Sequence, residues 1–170
     1  MKASDISQAL DWRYAVKKFD PTRKISAADW QTLENSMKLA PSSYGVSPTR
    51  FIVIENSALR EQLKPLAYNQ TQVTDSSHYV IFLYKEKMDK EHIQKYIERM
   101  AEVRGVPESA LEAFKSMLVQ NLVENPVKKD MVAWSQRQAY IAMGFLLETA
   151  ALLNVDACPM EGFDSEGFDK

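Results

Sequence analysis

Two cations four residues apart, Arg13 and Lys17, stand with Lys18 in the segment W-R-Y-A-V-K-K-F-D. At that spacing both can face one anion, such as a phosphate. Taken alone, the segment reads more simply as a solvated basic stretch. Pro41-Ser42-Ser43-Tyr44-Gly45 offers hydroxyls and freely oriented backbone N–H groups in a loop after a helix. Asn69, Gln70 and Gln72 gather neutral donors and acceptors ahead of an apolar run. They could read the edge of a heterocycle or simply cap the next element. Pro159-Met160-Glu161-Gly162 follows a strand-like segment, and strand ends are where α/β folds usually bind ligands. Gly162 there permits close approach of backbone to a ligand.

Other chemistries lack their residues. The chain has no G-x-G-x-x-G, no G-x-x-x-x-G-K-[ST] and no G-x-S-x-G, so no dinucleotide fingerprint, P-loop or nucleophile elbow can be argued. His78 and His92 have no metal-ligand partner at useful spacing and read as structural or surface residues. Cys158 is the single cysteine, which excludes an internal disulfide and a Cys-rich zinc site. It reads as a small buried hydrophobe. A net charge of −2, from 21 Lys+Arg against 23 Asp+Glu, argues against a general nucleic-acid binder. No apolar run approaches the ~20 residues that span a bilayer, and MKASDISQALDWR lacks a signal-type core. The expectation is one cytoplasmic domain over residues 1–170.

These groups need elements to hold them. Ser4 to Trp12 reads as a helix capped by Ser4 or Asp5. A second is opened by Ser26 with Asp29 as a capping box, carries Trp30, Leu33, Met37 and Ala40 on one face, and is stopped by Pro41. Phe51–Ile54 is a strand, 59–66 a short helix, and His78–Tyr84 a strand covered on both faces. Ile93, Tyr96, Ile97 and Met100 form a helical stripe closed by Gly105. Leu111, Phe114, Leu118 and Leu122 form another, ended by Pro126. From Lys128 to Leu153 runs one long helix, ~39 Å at ~1.5 Å per residue. Val132, Ala139, Met143, Leu146, Ala150 and Leu153 share one face of it, widened by Tyr140, Leu147 and Ala151. So much apolar surface suggests the helix lies at the centre of a homodimer, the alternative being the core helix of a monomer. Asn154 is a left-handed cap, 155–158 a short strand, and the closing GFDSEGFDK has the look of a loop. The class is α+β (α/β), with few strands and dominant helices.

Together, R-x-x-x-K-x-F-D, P-S-S-x-x-x-x-P, N-Q-x-Q-x-x-D-S-S-H and P-M-E-G-F-D, in this order from about Ile6 to Phe163, resemble the FMN-dependent nitroreductase family. The branch resembled is that of oxygen-insensitive NAD(P)H nitroreductases and dihydropteridine reductases. The resemblance implies a small, mostly antiparallel central sheet flanked by helices, with the long helix from Trp134-Ser-Gln-Arg-Gln-Ala-Tyr140 at a dimer interface. It implies FMN as cofactor and NADH or NADPH as electron donor. Turnover would be ping-pong, with hydride passing through flavin N5 to nitroaromatic, quinone or pteridine-type acceptors. No side chain is then needed as catalytic nucleophile or base, and Lys17 and Glu161 tune the flavin.

By the same resemblance, Arg13, Tyr14, Ala15 and Lys17 belong to the cofactor site. Arg13 pairs with the phosphate, and Lys17 reaches the N1/O2 edge, where its charge favours the reduced flavin. Ala15 stands where relatives often have serine, so one phosphate hydrogen bond is absent. Asn69 contacts the pyrimidine edge. Gln72 replaces a lysine of several relatives, so this flavin feels less positive charge. Pro159, Met160, Glu161 and Gly162 line the other side of the ring, and Pro41, Ser42 and Ser43 reach it from the partner subunit. The 104–124 region would cap the substrate pocket. Relatives continue past E-G-F-D through another strand and a basic stretch, so the resemblance also implies a C-terminally incomplete domain. The alternatives are a non-catalytic flavin-binding scaffold and a helical dimer serving as an interaction module.

Overall fold

The computed structural model describes residues 2–126 and 130–170. Among them are eight α-helices and two strands: α1 (Ala3–Trp12), α2 (Ala27–Lys38), β1 (Thr49–Ile54), α3 (Ser57–Leu66), α4 (Gln72–Asp75), β2 (Tyr79–Tyr84), α5 (Lys90–Arg104), α6 (Glu112–Val119), α7 (Met131–Leu152) and α8 (Ser165–Phe168). The strands form one two-stranded antiparallel sheet, so the α+β expectation holds. Phe51 and Phe82 meet edge to face across it, ring centres 5.2 Å apart. Two compact units emerge: Met1–Ala40, Phe51–Phe82 and Ala142–Lys170 in the first, Pro41–Arg50 and Leu83–Ile141 in the second.

In the first unit, α1 begins at Ala3 with Lys2 as N-cap, not Ser4 or Asp5. The Asp5 carboxylate reaches back to the Lys2 N–H at 2.7 Å, so Asp5 satisfies an orphan donor from inside the first turn. Ser26 caps α2 as expected, its hydroxyl accepting from the Asp29 N–H at 3.1 Å, but the Asp29 carboxylate accepts from that same hydroxyl at 2.7 Å and the reciprocal half of the capping box is not formed. Helix α2 ends at Lys38, ahead of Pro41 as expected, so Ala40 lies beyond the helix and not on its face. Asn56 caps α3, its side chain accepting from the Leu59 N–H at 3.0 Å. Ile54, Leu63, Ala67 and Val73 are buried together, with Leu66, Tyr79, Ile81, Met160, Phe163 and Phe168 against them. The chain end is not a loop. Asp164 caps α8 by accepting from the Gly167 N–H at 3.1 Å, and the apolar pull of Phe163 and Phe168, rings 4.9 Å apart, draws the segment inward.

Arg60, on α3, is 5% exposed. Its Nε donates to the Ile54 carbonyl at 2.6 Å, Nη1 to Ser76 O at 2.6 Å and Nη2 to Ser77 O at 3.2 Å. The planar guanidinium thus joins α3 to the end of β1 and the approach to β2. Burial lowers its pKa from the ordinary value, opposed by Glu55 and Tyr79. Beside it, the Ser77 hydroxyl accepts from the Ile25 N–H at 2.9 Å and lies 3.0 Å from His78 Nδ1.

The strand β2 begins at Tyr79; its first five residues are half-buried and Tyr84 is exposed, so it is not the fully covered strand expected. His78 precedes it, stacked on Trp30 at 3.9 Å with 13° between rings. Burial, then the Arg60 charge, push the His78 pKa below 6.5. The folded state therefore binds this proton less readily than the unfolded chain. Stability is full above an unfolded-state pKa of ~6.5 and falls as pH drops below it. Urea midpoints at pH 7.5 and 5.5 should show this loss in the parent and a smaller one in His78→Phe. Equal losses in both would remove His78 as the cause.

In the second unit, Asp89 caps α5 through the His92 N–H at 2.7 Å. Gly105 closes the helix in the left-handed region (φ 64°), as the sequence predicts. Ile93, Ile97, Leu118 and Leu122 are 0–1% exposed and pack with Val46, Met88, Leu111 and Trp134. Each such aliphatic side chain contributes roughly 1.5–3 kcal/mol. The stripe from Leu111 to Leu122 is one face but not one helix: a 3₁₀ turn (Glu108–Leu111), α6, then a π-type turn (Gln120–Glu124). Tightening and then widening the helix keeps Leu111, Leu118 and Leu122 on the core.

Helix α7 starts at Met131, and Lys128, where the sequence reading begins it, lies outside the described residues. Ala139, Ala150 and Ala151 are buried as expected, but Val132 and Tyr140 are exposed, together with Ile141 and Phe145. Polar Ser135 and Gln138 are buried. Asn154 ends the helix with φ 53°, and the Val155 N–H returns to the Ala150 carbonyl at 2.8 Å. That is the Schellman closure expected of a left-handed cap.

Candidate functional site

The first unit gathers most of the sequence-predicted site residues. After α1, residues 13–17 leave the helix, and Ala15 pairs with Ala157 in an isolated parallel bridge. The 155–158 segment is this single bridge and not a strand, because no further pairing extends it. The bridge nevertheless joins two stretches far apart in sequence and sets Lys17 beside Cys158. Lys17 Nζ lies 3.7 Å from Cys158 Sγ, and Gln72 Nε2 lies 3.9 Å from the same sulfur. Cys158 is half-buried, not the fully buried hydrophobe expected. Its polar neighbours keep the sulfur at the site's surface, and Pro159 follows directly.

Around this point the chain is tightly turned. Tyr68 and Asn69 are both left-handed, φ 53° and 58°, a conformation costly for tyrosine. The Asn69 N–H closes onto the Lys64 carbonyl at 2.9 Å, leaving the exposed Asn69 side chain at the end of α3. Gln72 opens α4 and is 6% exposed. A Cβ built on Gly162 would meet only the Tyr68 ring, at 3.8 Å, so the described chain itself does not demand glycine there. Met160 is half-buried against the first unit's core, while Glu161 and Gly162 are exposed.

Lys17 is exposed, and among the described residues its ammonium reaches the Cys158 thiol. Arg13 is half-buried, and no described side chain forms an ion pair with it. Tyr14 is 64% exposed. Ala15 is half-buried and committed to the bridge.

Pro41, Ser42 and Ser43 belong to the second unit and are held by polar ties within it. The Ser43 N–H donates to Gln138 Oε1 at 2.9 Å, and Gln138 Nε2 donates to the Trp134 carbonyl at 2.8 Å. The Ser42 hydroxyl accepts from the Ser47 N–H at 2.9 Å. His92 Nε2 lies 2.6 Å from the Val46 carbonyl, so both histidines are structural. The Tyr96 hydroxyl donates to Tyr44 O at 3.0 Å. Within this loop Tyr44, Gly45 and Ser47 have φ of 59°, 73° and 44°. A Cβ on Gly45 would stand 2.5 Å from the Tyr96 hydroxyl. Gly45→Ala is therefore expected to cost about 2–3 kcal/mol through left-handed strain and the displaced hydrogen bond. Thermal unfolding measures it, and an unchanged midpoint would contradict the loop geometry.

Arg60, Gln70 and Gln138 escaped the sequence reading as structural ties. Nothing local marks them, since their partners are carbonyls and amides reached only through the fold. Among the described residues no cluster of His, Cys, Asp and Glu could hold a metal ion, and no helix is long and apolar enough to cross a membrane.

Comparison with known proteins places this arrangement. The model of the nitroreductase family matches residues 10–170. A Staphylococcus haemolyticus protein named "Putative NAD(P)H nitroreductase" is 37% identical over 162 residues, covering 94% of this chain and 74% of that protein. A Bacillus subtilis protein of the same name, YfkO, is 33% identical over 168 residues, covering 94% and 75%. Among solved structures, a nitroreductase-like protein of Streptococcus mutans superposes with a TM-score of 0.83 at 21% identity, covering 99% of this chain and 80% of that one. A nitroreductase structure in complex with FMN, from Exiguobacterium sibiricum, gives 0.77 at 23% identity, covering 99% and 82%. At these identities the structures speak for the fold, and the family model and the sequence relatives carry the assignment: the chain belongs to the nitroreductase family.

Proposed function

We propose that this protein is an FMN-dependent NAD(P)H oxidoreductase, with residues 1–170 serving as one FMN-binding domain. Its acceptors are small electron-poor molecules of the nitroaromatic, quinone or pteridine type. The observation that carries this reading is the approach of Lys17 Nζ and Gln72 Nε2 to one point, Cys158 Sγ, directly before Pro159–Gly162. Both donors spend themselves there on a thiol, a weak acceptor. Such a pair suits the electron-rich edge of a heterocycle, and Arg13, in no ion pair among the described residues, suits a phosphate, so the residues present fit FMN. The name of the S. haemolyticus relative and the FMN complex from E. sibiricum support the same reading.

When bound, FMN supplies a centre that accepts hydride from the nicotinamide donor and returns it to the acceptor. The protein's work is to hold and to polarise. Arg13 grips the phosphate by a charge-assisted contact. Lys17 places positive charge at the pyrimidine edge, which favours the electron-rich reduced state. Gln72 and Asn69 present neutral donors to the same edge. The backbone of Pro159–Gly162, with Met160 packed beneath it, lines the opposite side, and Glu161 adds a negative charge that moderates the effect of Lys17. The protein acts as a homodimer, in which Pro41, Ser42 and Ser43 of one subunit complete the site of the other. The exposed Val132, Ile141 and Phe145 of α7 support that assembly, because apolar side chains so placed favour burial.

Titrating the flavin-free protein with FMN and with riboflavin tests the reading. Saturable FMN binding, weaker for riboflavin, is expected. No binding of either would sink it.

A further inference from the structure

Gln70, one member of the polar cluster Asn69–Gln72, bonds to the Pro159–Gly162 segment. Its amide nitrogen donates to the Ala67 carbonyl at 3.1 Å and to the Gly162 carbonyl at 3.1 Å. Both hydrogens of the NH₂ group are thereby used. The side chain spans 92 positions of sequence, from the turn after α3 to the segment proposed to line the cofactor. Two residues beyond, the Asp164 N–H donates to the Leu66 carbonyl at 2.8 Å. Phe163 and Phe168 pack with Leu66 and Ala67.

The Asp164 tie and the phenylalanines fix the distal end of the segment. Cys158, against Lys17 and Gln72, marks its near end. Between them, Glu161 and Gly162 are exposed, and a glycine gives the backbone the widest choice of conformations. Between those two ends the Gly162 carbonyl accepts from a side chain, the Gln70 amide.

From this geometry we infer that Gln70 is a positioning residue of the cofactor site. By clamping the Gly162 carbonyl, it fixes the peptide groups of residues 160–162 toward the ring of the flavin. The inference rests on the FMN reading above. Gln70 does no chemistry itself, and it acts through the orientation of the backbone it holds.

The test compares the full-length protein with Gln70→Ala and with Gln70→Leu, which keeps the side-chain bulk and removes the donors. In the flavin-free proteins, hydrogen–deuterium exchange is expected to quicken at residues 160–163 in both variants, with the urea midpoint nearly unchanged. FMN affinity is expected to fall about 3- to 10-fold, in keeping with the loss of one hydrogen bond of ordinary strength. The potential of the bound flavin should move to more negative values, a readout that a merely structural tie would leave alone. Parent-like exchange, affinity and potential in both variants would overturn the inference while leaving the FMN reading intact. Loss of the fold in both would assign Gln70 a structural role and overturn it too. Failure of the parent protein to bind FMN would end both.

Discussion

Replacing Arg60 with alanine is expected to destabilise the protein by about 3–5 kcal/mol, the scale for leaving several buried carbonyls without their donor. The side chain is 5% exposed, and its three hydrogen bonds all end on backbone carbonyls. Removing it leaves those acceptors without partners, at a cost of ~1–3 kcal/mol for each that water cannot reach. It also uncouples α3 from both strands, because Ile54 ends β1 and Ser76 and Ser77 lead into β2. For a chain of this length the loss corresponds to a fall in melting temperature of roughly 6–20 °C. Arg60→Lys keeps the charge, but one ammonium cannot span carbonyls that the guanidinium fork reaches from three nitrogens. It should recover only part of the loss. Chemical denaturation of the parent and both variants checks this, and a change below about 1 kcal/mol in Arg60→Ala would refute the clasp.

The second large effect concerns Arg13. Arg13→Ala is expected to raise the dissociation constant for FMN by ~10- to 150-fold, since one charge-assisted contact contributes ~1.5–3 kcal/mol. Two features of the site push toward the upper part of that range. No described side chain pairs with Arg13 in an ion pair, so its charge is not already compensated. Ala15 has no hydroxyl to share the phosphate. The same substitution should leave riboflavin affinity unchanged, because riboflavin has no phosphate. Equal weakening of both ligands would mean that Arg13 shapes the pocket and does not grip the anion. Added salt should lower FMN affinity in the parent more than in the variant, since screening acts on the charge that alanine lacks.

What could be read from sequence was local. Ser26 with Asp29, Gly105 and Asn154 each solve a problem posed within a few residues, a helix end with unsatisfied groups, and each solution is visible in the residue type. The apolar stripe of Ile93 and Ile97 and that of Leu118 and Leu122 follow from spacing alone. Arg60 was invisible because its partners lie 6, 16 and 17 residues away and are carbonyls of ordinary residues. Gln138 was hidden for a stronger reason, since it meets the Ser43 amide across 95 positions. On a helical wheel it reads as a polar outer residue, yet the fold buries it at 6% exposure.

For the candidate site, sequence offered residue types and their order. Arg13, Lys17, Asn69, Gln72 and Pro159–Gly162 were picked out by type and order, and the first unit holds all of them. The contact that unites Lys17 with Gln72, the Cys158 thiol, was misjudged as apolar filling. A cysteine is ambiguous by sequence, because the same side chain serves as hydrophobe or as weak polar partner according to its neighbours. The closing segment was misread likewise. Its capping aspartate and two phenylalanines look like loop residues until the apolar surface under α3 is known.

These residues are proposed to hold a flavin that takes electrons from a nicotinamide donor and gives them to a small acceptor. The most direct measurement is the oxidised-flavin absorbance of the FMN-loaded, full-length protein under strict anaerobiosis, first with NADH or NADPH and then with a nitroaromatic. The account predicts that the yellow colour bleaches on addition of at least one nucleotide and that the acceptor restores it. A flavin that stays yellow with both nucleotides would contradict the enzyme reading and leave a flavin carrier in its place.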